Sequence, residues 1–433
     1  MLNKIIQPIR RNLDAVVSVP GSKSITNRAL LIASLASGSC SLENALFSDD
    51  SIYFANALKE LGFFVNLDIE SKKIIIQGCN GIIPSGRAEL FIGNAGTAAR
   101  FLSAFLTLGH GEYSLDGDQR MRERPINDLV ISLRQLGAEI ESAISSKMIV
   151  SENIFPPIRF HSKGLAGGRT EISGNISSQF LSAMLMTAPY AKDSIEIFVT
   201  TDLNSKPYVD MTLSMMKEFG VDVYRDGYQY FKISPGKYQQ KDKFIIESDA
   251  SAASYFFASA AIVGGTVKVK NISRESIQGD IKFLDVLNRM GALVQDQTDG
   301  ISVTFDTQRI LNGISIDMSD IPDTAQTLAV LAPFASSPTH ISGIASARVK
   351  ESDRISATCN ELRKLGIKVG ENQDGMVVYP CSELKPAVIN TYNDHRMAMA
   401  FSLIGLRFDG VTIENPGCVS KTFPNYFDVL ETL

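Results

Sequence analysis

Lysine and arginine recur at matching places along this chain: Lys23, Arg28, Arg100, Arg124, Lys206, Lys350, Arg354, Arg396 and Lys421. They stand in G-S-K-S-I-T-N-R (21–28), G-N-A-G-T-A-A-R (93–100), D-Q-R-M-R-E-R-P-I, N-S-K-P-Y, R-V-K-E-S-D-R, Y-N-D-H-R-M-A-M and S-K-T-F-P. A lone surface cation is usually solvated and stabilises little. Cations interleaved with Ser, Asn, Gly and Gln donors at equivalent positions instead suit phosphate and carboxylate, and their number predicts two anionic ligands. Two carboxylates lie among them, Asp323 in I-P-D-T and Glu351 in V-K-E-S-D-R. Asp323 could cap a helix and Glu351 could pair with Lys350 or Arg354. In a desolvated site either could transfer protons, and Lys23 could clamp an anion or donate a proton. The residue types leave those roles open.

Several other chemistries lack their residues. G-S-K-S has neither the glycine before lysine nor the spacing of a P-loop, and no G-x-G-x-x-G occurs. His110, His161, His340 and His395 have no metal-ligand spacing, and no G-x-S-x-G marks an acyl-transfer nucleophile. Neither a metal nor an organic cofactor is expected.

The elements that must position the cations form a repeat. Helix-like runs of small apolar residues begin near Asn27, Ala98, Ser178, Ala252, Ala325 and Arg396. Amphipathic second helices end at Gly62, Gly137, Gly220, Gly291 and Gly366 in E-L-G, Q-L-G, E-F-G, R-M-G and K-L-G, about 75 residues apart. A glycine just past such a helix is a C-cap signal. Six β-α-β-α-β units follow, three in residues 22–247 and three in 248–433. A first strand over 5–19 is expected to join the second group, so that domain takes residues 1–21 plus 248–433. The chain would cross between domains near Pro20 and Glu247, which makes a hinge. The first helices lack a polar face, as in F-L-S-A-F-L-T-L, and are expected inside with sheets outside. Every first-helix start can present unpaired N–H groups and partial positive charge to an anion.

Bulk properties fit. The 433 residues exceed one core. Hydrophobic residues at 44% and charged residues at 21% are ordinary for a folded protein, and a net charge of -5 gives no general attraction to nucleic acid or anionic membrane. Cys40, Cys79, Cys359, Cys381 and Cys418 are scattered without a C-x-x-C pair, which fits reduced thiols in the cytoplasm. No signal-peptide pattern or membrane span is read, and a monomer is expected.

The segments P-G-S-K-S-x-x-N-R, G-N-A-G-T-A-x-R, R-E-R-P-I, S-S-Q-F, S-K-P-Y, I-P-D, R-V-K-E-S-D-R, Y-N-D-H-R-M-A-M and K-T-F-P-x-Y-F carry a resemblance over essentially the whole chain. In them the chain resembles the 5-enolpyruvylshikimate-3-phosphate synthases of the enolpyruvyl transferase family. The resemblance implies a two-domain, inside-out α/β barrel protein, each domain of three β-α-β-α-β-β repeats, with the active site in the interdomain cleft. It implies transfer of the enolpyruvyl group of phosphoenolpyruvate to the 5-hydroxyl of shikimate 3-phosphate through a tetrahedral intermediate. Shikimate 3-phosphate would be held by Lys23, Ser24, Arg28, Ser177, Ser178, Gln179, Ser205, Tyr208, Asp323, Ser346 and Lys350. Phosphoenolpyruvate would be held by Lys23, Asn94, Gly96, Arg124, Gln179, Arg354, His395, Arg396 and Lys421. By analogy Asp323 is the base at the hydroxyl, and Glu351 and Lys23 handle the enolpyruvyl proton.

Two departures are visible. Ser346 stands where many relatives have Asn, and Phe101 follows Arg100 where proline is common, which is expected to alter how the Gly96 helix packs. The retained Gly96 predicts sensitivity to the competitive analogue glyphosate. The nearest alternative reading is the transferase acting on UDP-N-acetylglucosamine, whose cysteine- or aspartate-bearing loop has no counterpart at Cys40 or Cys79. A non-catalytic anion-binding relative is a further alternative, set against the presence of Lys23, Asp323 and Glu351.

Overall fold

The structure is a computed structural model that describes residues 3–143 and 154–433. It separates into two compact units, Gly21–Ile246 and Glu247–Leu433, the latter together with the N-terminal segment up to Pro20.

One repeat shows how each is built. Strand Arg87–Phe91 leads into helix Gly96–Leu106 and returns in strand His110–Asp116, parallel to the first. Helix Asn127–Gln135 then precedes strands Ile140–Ser142 and Ile158–Lys163, which pair antiparallel, the second also lying antiparallel to His110–Asp116. The order is therefore β-α-β-α-β-β, giving a four-stranded sheet. Strands Arg87–Phe91 and Ile158–Lys163 alternate buried with more exposed residues, so one face of this sheet covers helices and the other meets water. All residues of first helices Gly96–Leu106, Ala325–Leu331 and His395–Gly405 are buried. Second helix Asn127–Gln135 instead buries one stripe, Leu129, Val130, Ser132 and Leu133. The residues that end second helices, Gly62, Gly137, Gly220, Gly291 and Gly366, all have φ between 82° and 104°, where a Cβ would be strained.

Both units complete sheets with strands distant in sequence. Lys243–Ile245 pairs parallel with Ser37–Glu43, and Leu13–Val17 pairs parallel with Gly265–Lys270. The single strand expected over 5–19 is broken: Lys4–Ile5 pairs with Thr412–Ile413, and Leu13–Val17 belongs to another sheet. Pro8 lies in the break, and it has no N–H to give a ladder. First helices also start earlier than the apolar pattern indicated, at Lys23, Gly96 and Ala250, with His395 starting the sixth. Their caps explain this. Ser22 Oγ accepts from Ile25 N, and Asp249 accepts from Ala252 N. Polar first turns hide the start from a hydrophobicity count.

Candidate active site

The expected site residues fall into two sets. Lys23, Ser24, Arg28, Asn94, Gly96, Arg124, Ser177, Ser178, Gln179, Ser205 and Tyr208 belong to Gly21–Ile246, and Asp323, Ser346, Lys350, Glu351, Arg354, His395, Arg396 and Lys421 to the other unit.

In the first set, helix starts and neutral acceptors place the charges. Lys23 and Ser24 occupy the first turn of Lys23–Leu35, and Lys23 Nζ lies 3.5 Å from Asp50 Oδ2. Arg28 is fully buried one turn on. Its Nε donates to Thr212 Oγ1 at 2.8 Å, Nη1 to the Ser24 carbonyl at 3.0 Å, and Nη2 to the Tyr208 carbonyl at 3.0 Å and Ser182 Oγ at 3.3 Å. These bonds tie three helices together. The Arg28 guanidinium also lies 5.2 Å from the Phe101 ring centroid, so Phe101 covers that arginine from the Gly96 helix. Burial pulls the Arg28 pKa down to about 10, which still leaves it charged at neutral pH.

Arg124 Nη1 donates to the carbonyl and Oδ1 of Asn94, at 3.2 and 3.0 Å, at the head of the Gly96 helix. Arg100, on that helix, donates to the carbonyls of Gly96 at 3.1 Å and Pro125 at 2.8 Å. A Cβ on Gly96 would come within 2.4 Å of Arg124 Nη2. Ser177 caps the helix Ser178–Thr187 by accepting from Gln179 N, and Gln179 Nε2 donates to Thr97 Oγ1 at 3.2 Å. Ser205 holds a left-handed backbone, φ 57°, just ahead of the helix Lys206–Glu218 that carries Tyr208.

The second set is held by carboxylates. Arg354 opens the helix Arg354–Lys364. It donates from Nε to Asp394 Oδ2 at 2.8 Å, from Nη1 to Asp323 Oδ1 at 3.1 Å, and from Nη2 to Glu351 Oε2 at 2.8 Å and Asp394 Oδ1 at 3.2 Å. Arg396 Nη2 donates to Asp323 Oδ2 at 2.7 Å, so Asp323 bridges two guanidiniums. Lys421 Nζ lies 3.9 Å from Glu351 Oε1. Asp394 caps the helix His395–Gly405 and is wholly buried, with His395 Nδ1 3.5 Å from its Oδ1. Burial by itself lowers the Arg354 pKa, but the charges of Asp394, Glu351 and Asp323 together hold it above the usual arginine value. Ser346 and Lys350 lie on and just after the turn Ala345–Val349, which leads into Glu351.

Asp280 adds a further buried carboxylate. It accepts a hydrogen bond from Ser251, and burial followed by the charge of Asp323 pushes its pKa up to about 6, against a pull from Arg396. Asp394, Asp280 and Asp50 were missed among the candidate residues. Asp394 offered a cap signal within N-D-H-R, whereas S-D-D and I-Q-G-D carry nothing that separates a buried ion-pair partner from a loop aspartate. All five cysteines are free thiols, and among the described residues no helix is long and apolar enough to cross a membrane.

The family model described as EPSP synthase (3-phosphoshikimate 1-carboxyvinyltransferase) matches residues 8–430. The chain is 49% identical over 425 residues to a 3-phosphoshikimate 1-carboxyvinyltransferase of Shewanella amazonensis, covering 98% of this chain and 97% of that one. It is 46% identical over 444 residues to the chloroplastic protein of that name from Brassica napus, covering 99% of this chain and 84% of the relative. A solved EPSP synthase from Acinetobacter baumannii has the same fold, with a TM-score of 0.81, 24% identity, and coverage of 99% and 97%. A match of this extent, over all six repeats and both sets of charged residues, makes the chain a member of the EPSP synthase (3-phosphoshikimate 1-carboxyvinyltransferase) family.

Proposed function

We propose that the protein transfers the carboxyvinyl group of phosphoenolpyruvate to the 5-hydroxyl of shikimate 3-phosphate and releases phosphate, acting as a monomer in the cytoplasm. The observation that carries this reading is the Arg354–Asp323–Arg396 bridge, with Glu351 and Lys421 beside it. Such an array can bind a phosphate or carboxylate and also move protons.

In the proposed reaction Asp323 accepts the proton of the 5-hydroxyl as that oxygen bonds to C2 of the enol. C3 gains a proton by way of Glu351 and Lys23, giving a tetrahedral phospho-ketal. Loss of a proton from C3 and departure of phosphate restore the double bond. The substrate contacts are those assigned by resemblance above, with Lys23 and Gln179 touching both ligands. Arg354 and Arg396 would grip an incoming anion bidentately, in competition with Asp323. Anion binding thus releases the lone pairs of Asp323 for the hydroxyl proton, which couples binding of one substrate to deprotonation of the other.

The test is phosphate release on mixing the protein with both substrates, each omitted in turn, with UDP-N-acetylglucosamine as alternative acceptor. Release that requires both proposed substrates and is lost in Asp323→Ala supports the reading. Release only with the nucleotide sugar transfers the assignment to that acceptor, and none with either acceptor leaves a binding protein.

A further inference from the structure

The helix that begins with Arg354 carries one carboxylate, outside the site. Glu361 is fully buried, and its position seven residues on places it two turns below Arg354 on the same face. Its Oε2 accepts from the backbone N–H of Asn390 at 3.0 Å and lies 2.7 Å from Lys364 Nζ; its Oε1 accepts from the Tyr392 hydroxyl at 2.8 Å. None of these partners belongs to the substrate sets.

What Glu361 holds is the approach to the helix His395–Gly405. Residues 390–393 connect strand Ala387–Ile389 to Asp394, and both Tyr392 (φ 52°) and Asn393 (φ 54°) take the left-handed conformation. Two consecutive non-glycine residues in that region persist only where the surroundings over-determine them. The surroundings do so here. Asn390 Oδ1 accepts from Tyr392 N at 2.7 Å, Asn415 Nδ2 donates to Asn393 Oδ1 at 3.1 Å, and Glu361 holds both Asn390 and Tyr392. Immediately beyond it, Asp394 is gripped by Arg354 and caps the helix that bears Arg396. One helix face therefore clamps 390–394 at two levels, by Arg354 above and Glu361 below.

We propose that Glu361 is a positioning residue for the reaction: with Tyr392 it fixes the backbone ahead of Asp394, and so the separation and orientation of the Arg354 and Arg396 guanidiniums that receive the enolpyruvyl donor. This rests on the function proposed above. A bidentate anion grip depends on that separation, because two guanidiniums displaced by a fraction of an ångström no longer share one phosphate or carboxylate.

The experiment compares wild type, Tyr392→Phe, Glu361→Gln and Glu361→Leu. Tyr392→Phe removes one hydrogen bond and leaves the Glu361 charge paired with Lys364. Glu361→Gln keeps the shape and can still accept from Asn390 N, so it should rescue part of what Glu361→Leu loses. The expected result is a KM for phosphoenolpyruvate raised about tenfold in Tyr392→Phe and more in Glu361→Gln, with kcat and the KM for shikimate 3-phosphate changed much less. Binding of inorganic phosphate, measured by titration calorimetry, should weaken in the same order. That second readout needs no turnover. If wild type proves inactive the proposed function fails, whereas the ordering of phosphate affinities still decides the role of Glu361. A purely structural Glu361 would lower the thermal midpoint and the active fraction without moving KM or phosphate affinity in the folded protein. Unchanged KM and phosphate affinity in folded Tyr392→Phe and Glu361→Gln would overturn the proposal, even if Glu361→Leu fails to fold.

Discussion

Arg28 and Arg354 are both buried guanidiniums on helices that bear candidate site residues, one in each unit, and their N–H groups are satisfied in different ways. Arg28 is surrounded by hydroxyls and carbonyls, and burial lowers its pKa to about 10. Arg354 is wrapped by Asp394, Asp323 and Glu351, and its pKa is driven the other way. Neutral acceptors satisfy the N–H groups of Arg28 and leave its positive field intact, so an anion drawn to that arginine has no internal charge to displace, whereas Lys23 in the same unit already faces Asp50. In the other unit the charges of Arg354, Arg396 and Lys421 are met by Asp323, Glu351 and Asp394, and an incoming anion must compete. The first arrangement suits capture. The second suits proton transfer, because its carboxylates become available as ligand takes over the cations.

The largest test of that contrast converts part of the second arrangement into the first. Asp323→Asn keeps the side-chain shape but replaces the charge that bridges Arg354 and Arg396 with a neutral acceptor. Turnover should fall roughly 10²- to 10⁴-fold, the range for losing a positioned acid or base. Binding of inorganic phosphate to the same variant, followed by calorimetry, should tighten, since its competitor is gone. Weaker phosphate binding would mean that Asp323 organises the arginines and does not compete for them, and the comparison would lose its basis.

A smaller effect concerns carboxylate beyond what those cations balance. Asp280 has a folded-state pKa near 6, set first by burial and then by Asp323, against an unfolded value of about 3.9. A carboxyl group whose folded pKa is raised holds its proton more tightly in the native state, so its contribution to stability declines as pH rises from about 4 to 6. Above that window the ionised group destabilises the fold, by on the order of 3 kcal/mol for a shift of this size. Asp280→Asn should therefore unfold at a higher temperature than wild type at pH 7 to 8, with the difference fading toward pH 4. A difference that stays constant across that range would place the effect in packing and not in charge.

How much of this was legible in the sequence depended on the kind of signal. Gly62, Gly137, Gly220, Gly291 and Gly366 marked the second helices because each needs a left-handed backbone, which glycine adopts at least strain. The buried first helices showed in their uniform apolarity, while Ser22 and Asp249 concealed where two of them start. The strand over 5–19 failed because β-propensity has no term for a chain that changes sheets at Pro8. In the site, cations could be picked out by repetition, since equivalent positions are countable. Asp280 and Asp50 could not, because an acidic residue in a loop looks the same whether it faces water or balances a buried charge, and the cap signal of Asp394 said nothing of its pairing with Arg354. That Phe101 covers Arg28 was equally beyond the sequence: the departure from proline was visible, and the partner was not.

The smallest expected effect lies in the Gly21–Ile246 unit, where charge can be left alone and only its position altered. Gly96 faces the end of Arg124, and an added methyl would sit 2.4 Å from Nη2, 2.7 Å from Cζ and 2.8 Å from Nη1. A guanidinium is the far end of a flexible side chain, so it can swing away without unfolding the helix. The swing would disturb its bonds to the carbonyl and Oδ1 of Asn94, and it would narrow the space beside the helix start. Gly96→Ala should thus fold with nearly the wild-type melting temperature yet raise the KM for phosphoenolpyruvate by about tenfold, as expected for a displaced binding group. Inhibition by glyphosate should weaken by a larger factor. A longer analogue would need more of the space that the methyl takes up, whereas phosphoenolpyruvate would still gain from the positive field of Arg124 at its new position. A variant as sensitive to glyphosate as wild type would show that Arg124 absorbs the methyl without reshaping the site, and that its charge matters there while its exact placement does not.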